Sequence, residues 1–375
     1  MRMFRFALLF GALIVLAIAP FGGAAQALSI VDDAGRTVTL DRPAGRIALT
    51  DGMGLVGLAA IEPDPPSRLA AWNRGRLDAD ALAALRASMP AIDRTPDIGD
   101  LESGPAALEA VIASGADLVV LDPYYNRADG VIRRLDQAGV AVAVLALTPS
   151  VRDAEPASGL KRLAVLIGRQ AQGEEFSAFV GERLERIANR VRMLPPDDRP
   201  RVLLEAHAGR GACCLVAGAG RGIGDFIGFG GGHNVGADMA PGMAGRISPE
   251  YAIAAAPAVY IGTGGAYLAA SGGLTLGPSV SEEAARASLL SALRRPGLAQ
   301  TPAVEGGRAH GLWHELAISG VNIVAIEAIA KWIHPKLFAD LDPAATLDEI
   351  NRRFLAAPLK GTMWVDAEPV GKAGR

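Results

Sequence analysis

Residues 173–194, GEEFSAFVGERLERIANRVRML, decide how the rest of the chain is organised. Apolar side chains recur there at steps of three and four residues, which places them along one face of an α-helix. Acidic residues crowd the first turns and basic residues the last, the order that the helix macrodipole favours, and Pro195 and Pro196 end the pattern. At 1.5 Å per residue the helix spans about 33 Å, the width of a small domain. We interpret it as a rigid connection between two lobes, although an amphipathic surface helix would show the same periodicity.

The length and the N-terminus favour an exported protein of more than one domain. The 375 residues are more than one hydrophobic core usually holds. Arg2 and Arg5 precede an apolar run at 6–19, and small residues flank position 26, so residues 1–27 are predicted to be a cleaved signal peptide. A retained membrane anchor is the alternative, but the run is short for a membrane span. The mature protein is therefore expected in the periplasm. The net charge of the full chain, −3, gives no reason to expect nucleic acid as a partner.

The two cysteines, Cys213 and Cys214, are adjacent in the sequence. Because an exported chain meets an oxidising compartment, they could form a disulfide between neighbours or remain as two thiols. Both possibilities stay open, and one such pair supplies too few ligands for a metal site of its own.

Strand-like and helix-like segments alternate on both sides of the long helix. This alternation predicts parallel sheets that are covered by helices on both faces. The fold class is therefore α/β, with two doubly wound, Rossmann-like lobes joined by a single long α-helix. The predicted boundaries are an N-terminal lobe at 28–155, a connecting helical segment at 156–198 and a C-terminal lobe at 199–375.

An internal repeat supports two lobes of one plan. Residues 108–120, LEAVIASGADLVV, align with residues 249–261, PEYAIAAAPAVYI. In each copy we expect a helix with glutamate in its first turn, then a tight turn and a buried strand. Glu109 and Glu250 are thereby placed at equivalent positions of the two lobes.

Four segments resemble one family of transport proteins. They are VDDAGRTVTLDRPAGRIA at 31–48, IGDLESGPAALEAVIASGADLVVLD at 98–122, GRISPEYAIAAAPAVYIGTGG at 245–265 and GLWHELAISGVNIVAIEAIAKWIHP at 311–335. Their order and spacing are similar to those of the substrate-binding proteins of bacterial ABC importers for iron–siderophores, haem and cobalamin. The C-terminal part looks most like the ferric-siderophore branch, and the resemblance covers essentially the whole mature chain.

The resemblance implies a ligand held in a shallow cleft between the lobes and delivered to an ABC permease. The most expected ligand is a ferric siderophore, with haem or cobalamin as alternatives in the same fold. Glu109 and Glu250 match the glutamates that, in this family, dock onto arginines of the permease. A simpler interpretation is that each glutamate only favours the N-terminus of its helix. No oligomerisation is implied, so a monomer is expected.

The cleft should lie at the carboxyl ends of the strands, as in other open α/β sheets. A bulky, oxygen-rich and often anionic chelate calls for arginines and aromatic faces there. Each candidate has an alternative interpretation: core packing for the aromatic residues, a solvated or paired charge for the arginines, and a hydrogen-bonding wall residue for the histidine. The candidates are Trp72, Arg74, Arg76, Tyr124, Tyr125, Arg210, Arg246, Trp313 and His314.

Two rival functions are less well supported. A carrier of bare Zn²⁺ or Mn²⁺ takes histidine and carboxylate ligands from both lobes, but all five histidines fall in the second half, from His207 to His334. An Asp/Glu/Tyr site stays open. An enzyme is disfavoured because the sequence has no phosphate-binding loop, nucleophile elbow or HExxH motif. No catalytic residue, cofactor or resident metal is therefore expected.

Overall fold

The computed structural model describes residues 27–75, 77–101, 105–123 and 129–367. Most of the predicted signal peptide lies outside these ranges, as do the candidates Arg76, Tyr124 and Tyr125. Within the described ranges, no helix combines the length and the hydrophobicity that crossing a membrane would require.

The N-terminal lobe is built on a four-stranded parallel sheet. Its strand order is β4-β3-β5-β6, and a separate antiparallel hairpin, β1-β2, precedes it. Successive strand residues point to opposite faces, so Ala48 and Val119 enter one apolar cluster while Leu49 and Val120 enter another. Helices cover both faces, as a doubly wound sheet requires. The elements are β1 Leu28–Val31, β2 Thr37–Leu40, β3 Ile47–Leu49, α1 Gly54–Ala59, α2 Pro65–Arg68, β4 Leu69–Trp72, α3 Ala79–Ser88, α4 Pro105–Ala113, β5 Leu118–Leu121, α5 Asp129–Gln137 and β6 Ala141–Val144.

Two helices, α6 Ser158–Leu166 and α7 Gln170–Val191, lead from this lobe to the next. The 22-residue α7 is the predicted long helix, but it begins and ends three residues earlier than the predicted span of 173–194. Its buried stripe contains the apolar residues that the periodicity marked. Phe176 and Phe179 contact the ring of Phe354 edge-on, with centroids 5.3 and 5.0 Å apart. The stripe therefore fastens α7 to the C-terminal lobe as well as to α6.

The C-terminal lobe has a larger, mixed sheet in the order β10-β8-β7-β11-β12-β13, with β9 beside β7. Its centre, β7-β11-β12, is parallel, but β8, β10 and β13 run antiparallel to their neighbours, which the sequence did not predict. The elements are β7 Arg201–Glu205, β8 Leu215–Ala217, α8 Asp225–Phe229, β9 His233–Asn234, β10 Ala244–Arg246, α9 Pro249–Ala254, β11 Val259–Gly264, α10 Glu282–Leu293, α11 Pro302–Glu305, β12 Ala309–Trp313, α12 His314–Ala317, α13 Ile323–Ile333, α14 Pro343–Arg353 and β13 Trp364–Asp366.

The prediction of two α/β lobes joined by one long helix is confirmed. The lobes also touch directly, backbone against backbone, where α1 meets the turn before α13. A Cβ placed on Gly320 would lie 2.5 Å from the Cα of Gly57, so only glycine fits at this contact. The exact lobe limits at residues 155 and 198 stay a prediction.

Candidate ligand-binding cleft

The two lobes face each other through the loops that follow the carboxyl ends of their strands. Thr148, beyond β6, donates its hydroxyl hydrogen to the carbonyl of Ile318 at 2.8 Å. Asn322 donates its side-chain amide to the carbonyl of Pro149 at 2.9 Å. The arrangement places the strand ends of both sheets along one inter-lobe cleft, where ligands bind in folds of this type.

A group of ring side chains lies at the carboxyl ends of the three central strands of the C-terminal lobe. His207 follows β7, Tyr267 follows β11 and His314 follows β12. The Nδ1 of His207 is 2.5 Å from the phenolic oxygen of Tyr267. The ring of His314 lies 4.2 Å from that of His207, and its Nδ1 hydrogen-bonds the hydroxyl of Thr263 at 2.9 Å. His207 is therefore held between a phenol and a second imidazole.

The backbone of the loop after β7 aims His207 into this position. His207 adopts φ 50°, a left-handed conformation that is uncommon for a residue with a side chain. Its amide donates to the Thr263 hydroxyl at 3.2 Å, and its carbonyl accepts a hydrogen bond of 2.9 Å from the amide of Arg210. Strained backbone of this kind persists where the surrounding structure fixes it, and it often marks a functional site.

Burial sets the protonation states of this group. Burial lowers the pKa of His207, and the positive charge of Arg210 lowers it further, so the imidazole is neutral at neutral pH. Burial also raises the pKa of Tyr267, and the nearby carboxyls of Glu315 and Asp78 raise it further. Tyr267 thus carries its proton when no ligand is present, even though 38% of the residue is exposed.

A pair of carboxyl groups joins the lobes below Tyr267. Asp78 caps the N-terminus of α3 in the N-terminal lobe, while Glu315 lies in α12 of the other lobe and is only 4% exposed. Burial and the charge of Asp78 raise the pKa of Glu315 to about 8, so one proton is retained between the two groups at neutral pH. Beside them, Asp80 accepts a hydrogen bond of 3.0 Å from the amide of Ser279 across the cleft.

Reciprocal ion pairs also link the two lobes. Arg152 of the N-terminal lobe pairs with Asp225 and donates to the carbonyl of Ala219 at 2.8 Å. In return, Arg221 of the C-terminal lobe pairs with Asp153 at 2.6 Å.

The structure corrects the predictions for both tryptophans. Trp72, at the end of β4, is 0% exposed, and Trp313, at the end of β12, is 3% exposed. Each indole packs within the apolar core, because a residue that ends a strand points into one of its two faces rather than along the strand. Trp72 is therefore closed to a ligand in this structure, whereas Trp313 also lines a small cavity with residues of both lobes.

The predicted arginines fall in three different settings. Arg74 is held by the carbonyls of Ile92 and Thr95, and its guanidinium lies 5.4 Å from the ring of Trp72. Arg210 is exposed and stands in the loop of His207, on the cleft side. Arg246 is exposed at the end of β10, the outermost strand, and donates weakly to Ala212 at 3.4 Å. Only Arg210 joins His314 at the ring group.

Sequence reasoning missed His207, Tyr267, Asp78 and Glu315. A signal for the first two was present, because each follows a predicted central strand, at the edge where the cleft was expected. The pairing itself, across 60 residues, has no sequence signal.

Glu109 and Glu250 are both exposed. Each lies on a helix that precedes a central parallel strand, α4 before β5 and α9 before β11. The expectation that both occupy a first turn is wrong for Glu109, which is the fifth residue of α4. Glu250 does lie in the first turn of α9, where the hydroxyl of Ser248 lowers its pKa.

The cysteine question, open from the sequence, is answered by the structure. Cys213 and Cys214 form a disulfide in the loop between β7 and β8, the loop that also carries His207 and Arg210. Both cysteines are buried. Within the described residues, no three His, Cys, Asp or Glu side chains are grouped so that they could hold a metal ion.

Comparison with protein families identifies the class. The model of the periplasmic binding protein family matches residues 90–312, more than half of the chain. The chain therefore belongs to the periplasmic binding proteins, the solute-binding components of ABC importers. A comparison with curated proteins finds no match.

Solved structures show the same fold. The TroA-like periplasmic binding protein FepB from Veillonella parvula is 23% identical, with a TM-score of 0.81, over 91% of this chain and 100% of that one. CeuE from Helicobacter pylori with Ni(II) bound is 15% identical, with a TM-score of 0.63, over 87% and 95%. A periplasmic heme-binding protein from Pseudomonas aeruginosa is 21% identical, with a TM-score of 0.55, over 87% and 98%.

Proposed function

We propose that the protein captures a ferric chelate, most simply a ferric siderophore, and delivers it to an ABC permease. The observation that carries this proposal is the contact of 2.5 Å between the Nδ1 of His207 and the phenolic oxygen of Tyr267. A nitrogen and an oxygen donor this close together can bind one metal ion at two neighbouring positions. Imidazole and phenolate are both established ligands of protein-bound iron.

The number of donors favours a chelate over a bare ion. Proteins hold a bare Zn²⁺ with three or four of their own ligands, whereas this pair supplies two. An iron ion with six positions, four of them filled by a chelator, would take these two donors without further protein ligands. The names of similar structures, which mention heme and Ni(II), agree with a metal-containing ligand.

The surroundings of the pair suit such a ligand. The neutral imidazole of His207 has a lone pair to offer, and Arg210 beside it offers positive charge to an anionic chelator. Tyr267 must lose its proton to bind iron, so capture releases a proton and strengthens as the pH rises through neutrality. Tyr124 and Tyr125, which lie outside the described residues, remain candidates from the sequence for covering the bound chelator.

The test is a titration of the mature protein with ferric complexes of tetradentate and hexadentate catecholates, haem and cobalamin. We expect the tetradentate complex to bind best and its catecholate-to-iron absorption band to shift on binding, because a tyrosinate joins the iron. Tyr267→Phe should abolish this shift and weaken binding by about 100-fold, since a metal ligand is lost. Tyr251→Phe, which removes a phenol remote from the cleft, is the matched control. Equal binding by Tyr267→Phe, or preference for cobalamin or haem, would contradict the proposal.

We further propose that Glu109 and Glu250 dock onto the permease. Both are exposed carboxylates, one on each lobe, on helices of equivalent position. Glu109→Ala combined with Glu250→Ala should abolish uptake by cells while ligand affinity stays unchanged. The control replaces two other exposed glutamates, Glu185 and Glu305. Loss of ligand affinity in the first double variant would instead place these side chains in the cleft.

A further inference from the structure

A second concave site lies at the end of the C-terminal lobe that faces away from the cleft. A cavity of about 420 Å³ opens where β12 begins, between the last turns of α13, the start of α14 and β13. Its size falls in the range of small-molecule sites. Since β12 has five residues and each advances about 3.3 Å, this cavity lies about 16 Å from the cleft edge of the same strand.

The cavity wall carries two cations that have no carboxylate partner. Arg308 donates to the carbonyls of Trp332 and Ile333, at 2.8 and 3.0 Å, and forms no ion pair within the described part of the chain. Burial alone lowers its pKa, which shows that its charge is partly desolvated and uncompensated. Lys331 donates to the carbonyl of Leu341 at 2.5 Å and likewise forms no ion pair with a described residue. The same Arg308 also lines a second, adjoining cavity of about 510 Å³.

The carboxylates at the cavity are already engaged by other groups. Asp366 accepts a hydrogen bond of 2.6 Å from the Nδ1 of His310. Burial would raise the pKa of Asp366, but the hydrogen bonds from His310 and Trp332 keep it below its ordinary value. Asp342 caps α14, accepting from the amides of Ala344 and Ala345 at 3.1 Å. The hydrogen-bonding groups that remain available to a ligand therefore belong mainly to the two cations, Arg308 and Lys331.

Flat aromatic surfaces form the rest of the wall. The imidazole of His310 stacks on the indole of Trp332, with centroids 4.6 Å apart and planes 10° from parallel. Trp364, half-buried on β13, lines the cavity as well. A planar ring can stack on such surfaces, and a carboxylate can take the forked hydrogen bonds of a guanidinium.

We propose that this cavity is a second binding site, separate from the cleft, for a small aromatic carboxylate. The carboxylate pairs with Arg308, with Lys331 as a further cation, and the ring lies against the indoles of Trp332 and Trp364. This site is independent of the proposed iron-chelate function, because it shares no residue with the ring group of the cleft.

The experiment uses three probes of one shape and different charge: 2-naphthoate, 2-naphthamide and 2-naphthylmethylamine. Binding is followed by quenching of tryptophan fluorescence in the mature protein and by calorimetry. Two of the four tryptophans line the cavity, whereas Trp72 and Trp313 are buried in the core. We expect saturable quenching by the naphthoate alone, and a smaller quench in Trp364→Phe.

Variants of the cation assign the site. Arg308→Gln should weaken naphthoate binding about tenfold or more, because a charge-assisted hydrogen bond is lost. Arg308→Lys keeps the positive charge but loses the forked pair of N–H donors. Its affinity for naphthoate should therefore fall between those of the parent and of Arg308→Gln. Arg294→Gln, an exposed arginine of the same lobe, should bind as the parent does, and so should Tyr267→Phe, which alters only the cleft.

Three results of these binding experiments would overturn the proposal. Binding of the amine or the amide as tightly as the naphthoate would overturn the proposal, and this result does not depend on any variant folding. Unchanged naphthoate binding in a folded Arg308→Gln would overturn it as well. Loss of naphthoate binding in Tyr267→Phe would place the ligand in the cleft and refute the second site, whatever the cleft itself is found to bind.

Discussion

Glu62 of the N-terminal lobe and Glu205 of the C-terminal lobe are both buried, and arginines neutralise them in different ways. Glu62 of the N-terminal lobe is 2% exposed and is bonded by two arginines, Arg68 at 2.9 Å and Arg169 at 2.9 and 3.0 Å. Glu205 of the C-terminal lobe is equally buried but depends on Arg295 alone, at 2.9 and 2.6 Å.

The difference follows from what each cluster holds in place. Arg169 directly precedes α7, so the cluster around Glu62 ties the N-terminal lobe to the connecting helix. Glu205 ends β7, two residues before His207, and also accepts a hydrogen bond of 2.7 Å from Tyr260. The second cluster therefore forms a rigid base below the loop that carries the candidate ligand donors. If the proposed function holds, this difference means that the C-terminal lobe positions the ligand donors on a rigid base, whereas the buried cluster of the N-terminal lobe serves the connection between the lobes.

The largest effect on stability is expected at Arg295. Arg295→Ala leaves a buried carboxylate without its only cation, which typically costs about 3–5 kcal/mol. Arg169→Ala should cost less, about 1–2 kcal/mol, because Arg68 still neutralises Glu62. Urea unfolding of the mature protein measures both.

The double variant Glu205→Gln with Arg295→Ala is the control, since it removes the buried charge together with its partner and should recover part of the loss. Equal losses of unfolding free energy in Arg295→Ala and Arg169→Ala would contradict the expectation that the two buried glutamates depend differently on their arginines.

A pH-dependent effect on stability is expected where the lobes meet. Glu315 keeps a proton in the folded protein up to about pH 8, whereas its ordinary pKa is 4.5. The folded state therefore binds more protons than the unfolded state between these values. This contribution to stability is complete below pH 4.5 and is lost as the pH rises through 8, by at most about 1.4 kcal/mol per pH unit.

Glu315→Gln should remove this slope, and thermal unfolding at a series of pH values measures it. Glu283→Gln, an exposed carboxyl in the same lobe, should leave the slope unchanged. A slope that persists in Glu315→Gln would show that the carboxyl pair with Asp78 is not the group that titrates.

The fold could be read from the sequence largely because burial imposes periodicity. The apolar spacing in α7 marked its buried face correctly, although the pattern continued to Leu194, which lies beyond the end of the helix at Val191 and is half-buried. The antiparallel strands β8, β10 and β13 have three residues each, too few to show a period.

The site was less predictable, because position along a strand does not determine which way a side chain points. Trp72 and Trp313 stand at strand ends, as expected, but turn into the core. His207 reaches Tyr267 only because its loop takes a left-handed turn, and no local pattern announced that turn. Which residues distant in the sequence come close together is decided by the folded backbone and not by a local sequence pattern.

The contact between Gly57 and Gly320 has a consequence for transport. Two backbones that touch without side chains leave no rotamer free to yield, so we expect the lobes to tilt about this contact rather than slide past each other. Such a tilt would change the width of the cleft mouth more than the distance between the outer surfaces of the lobes. A permease that binds both lobes would therefore meet nearly the same docking surface with and without a ligand in the cleft. It would have to distinguish the loaded from the empty protein by how strongly the two lobes resist separation.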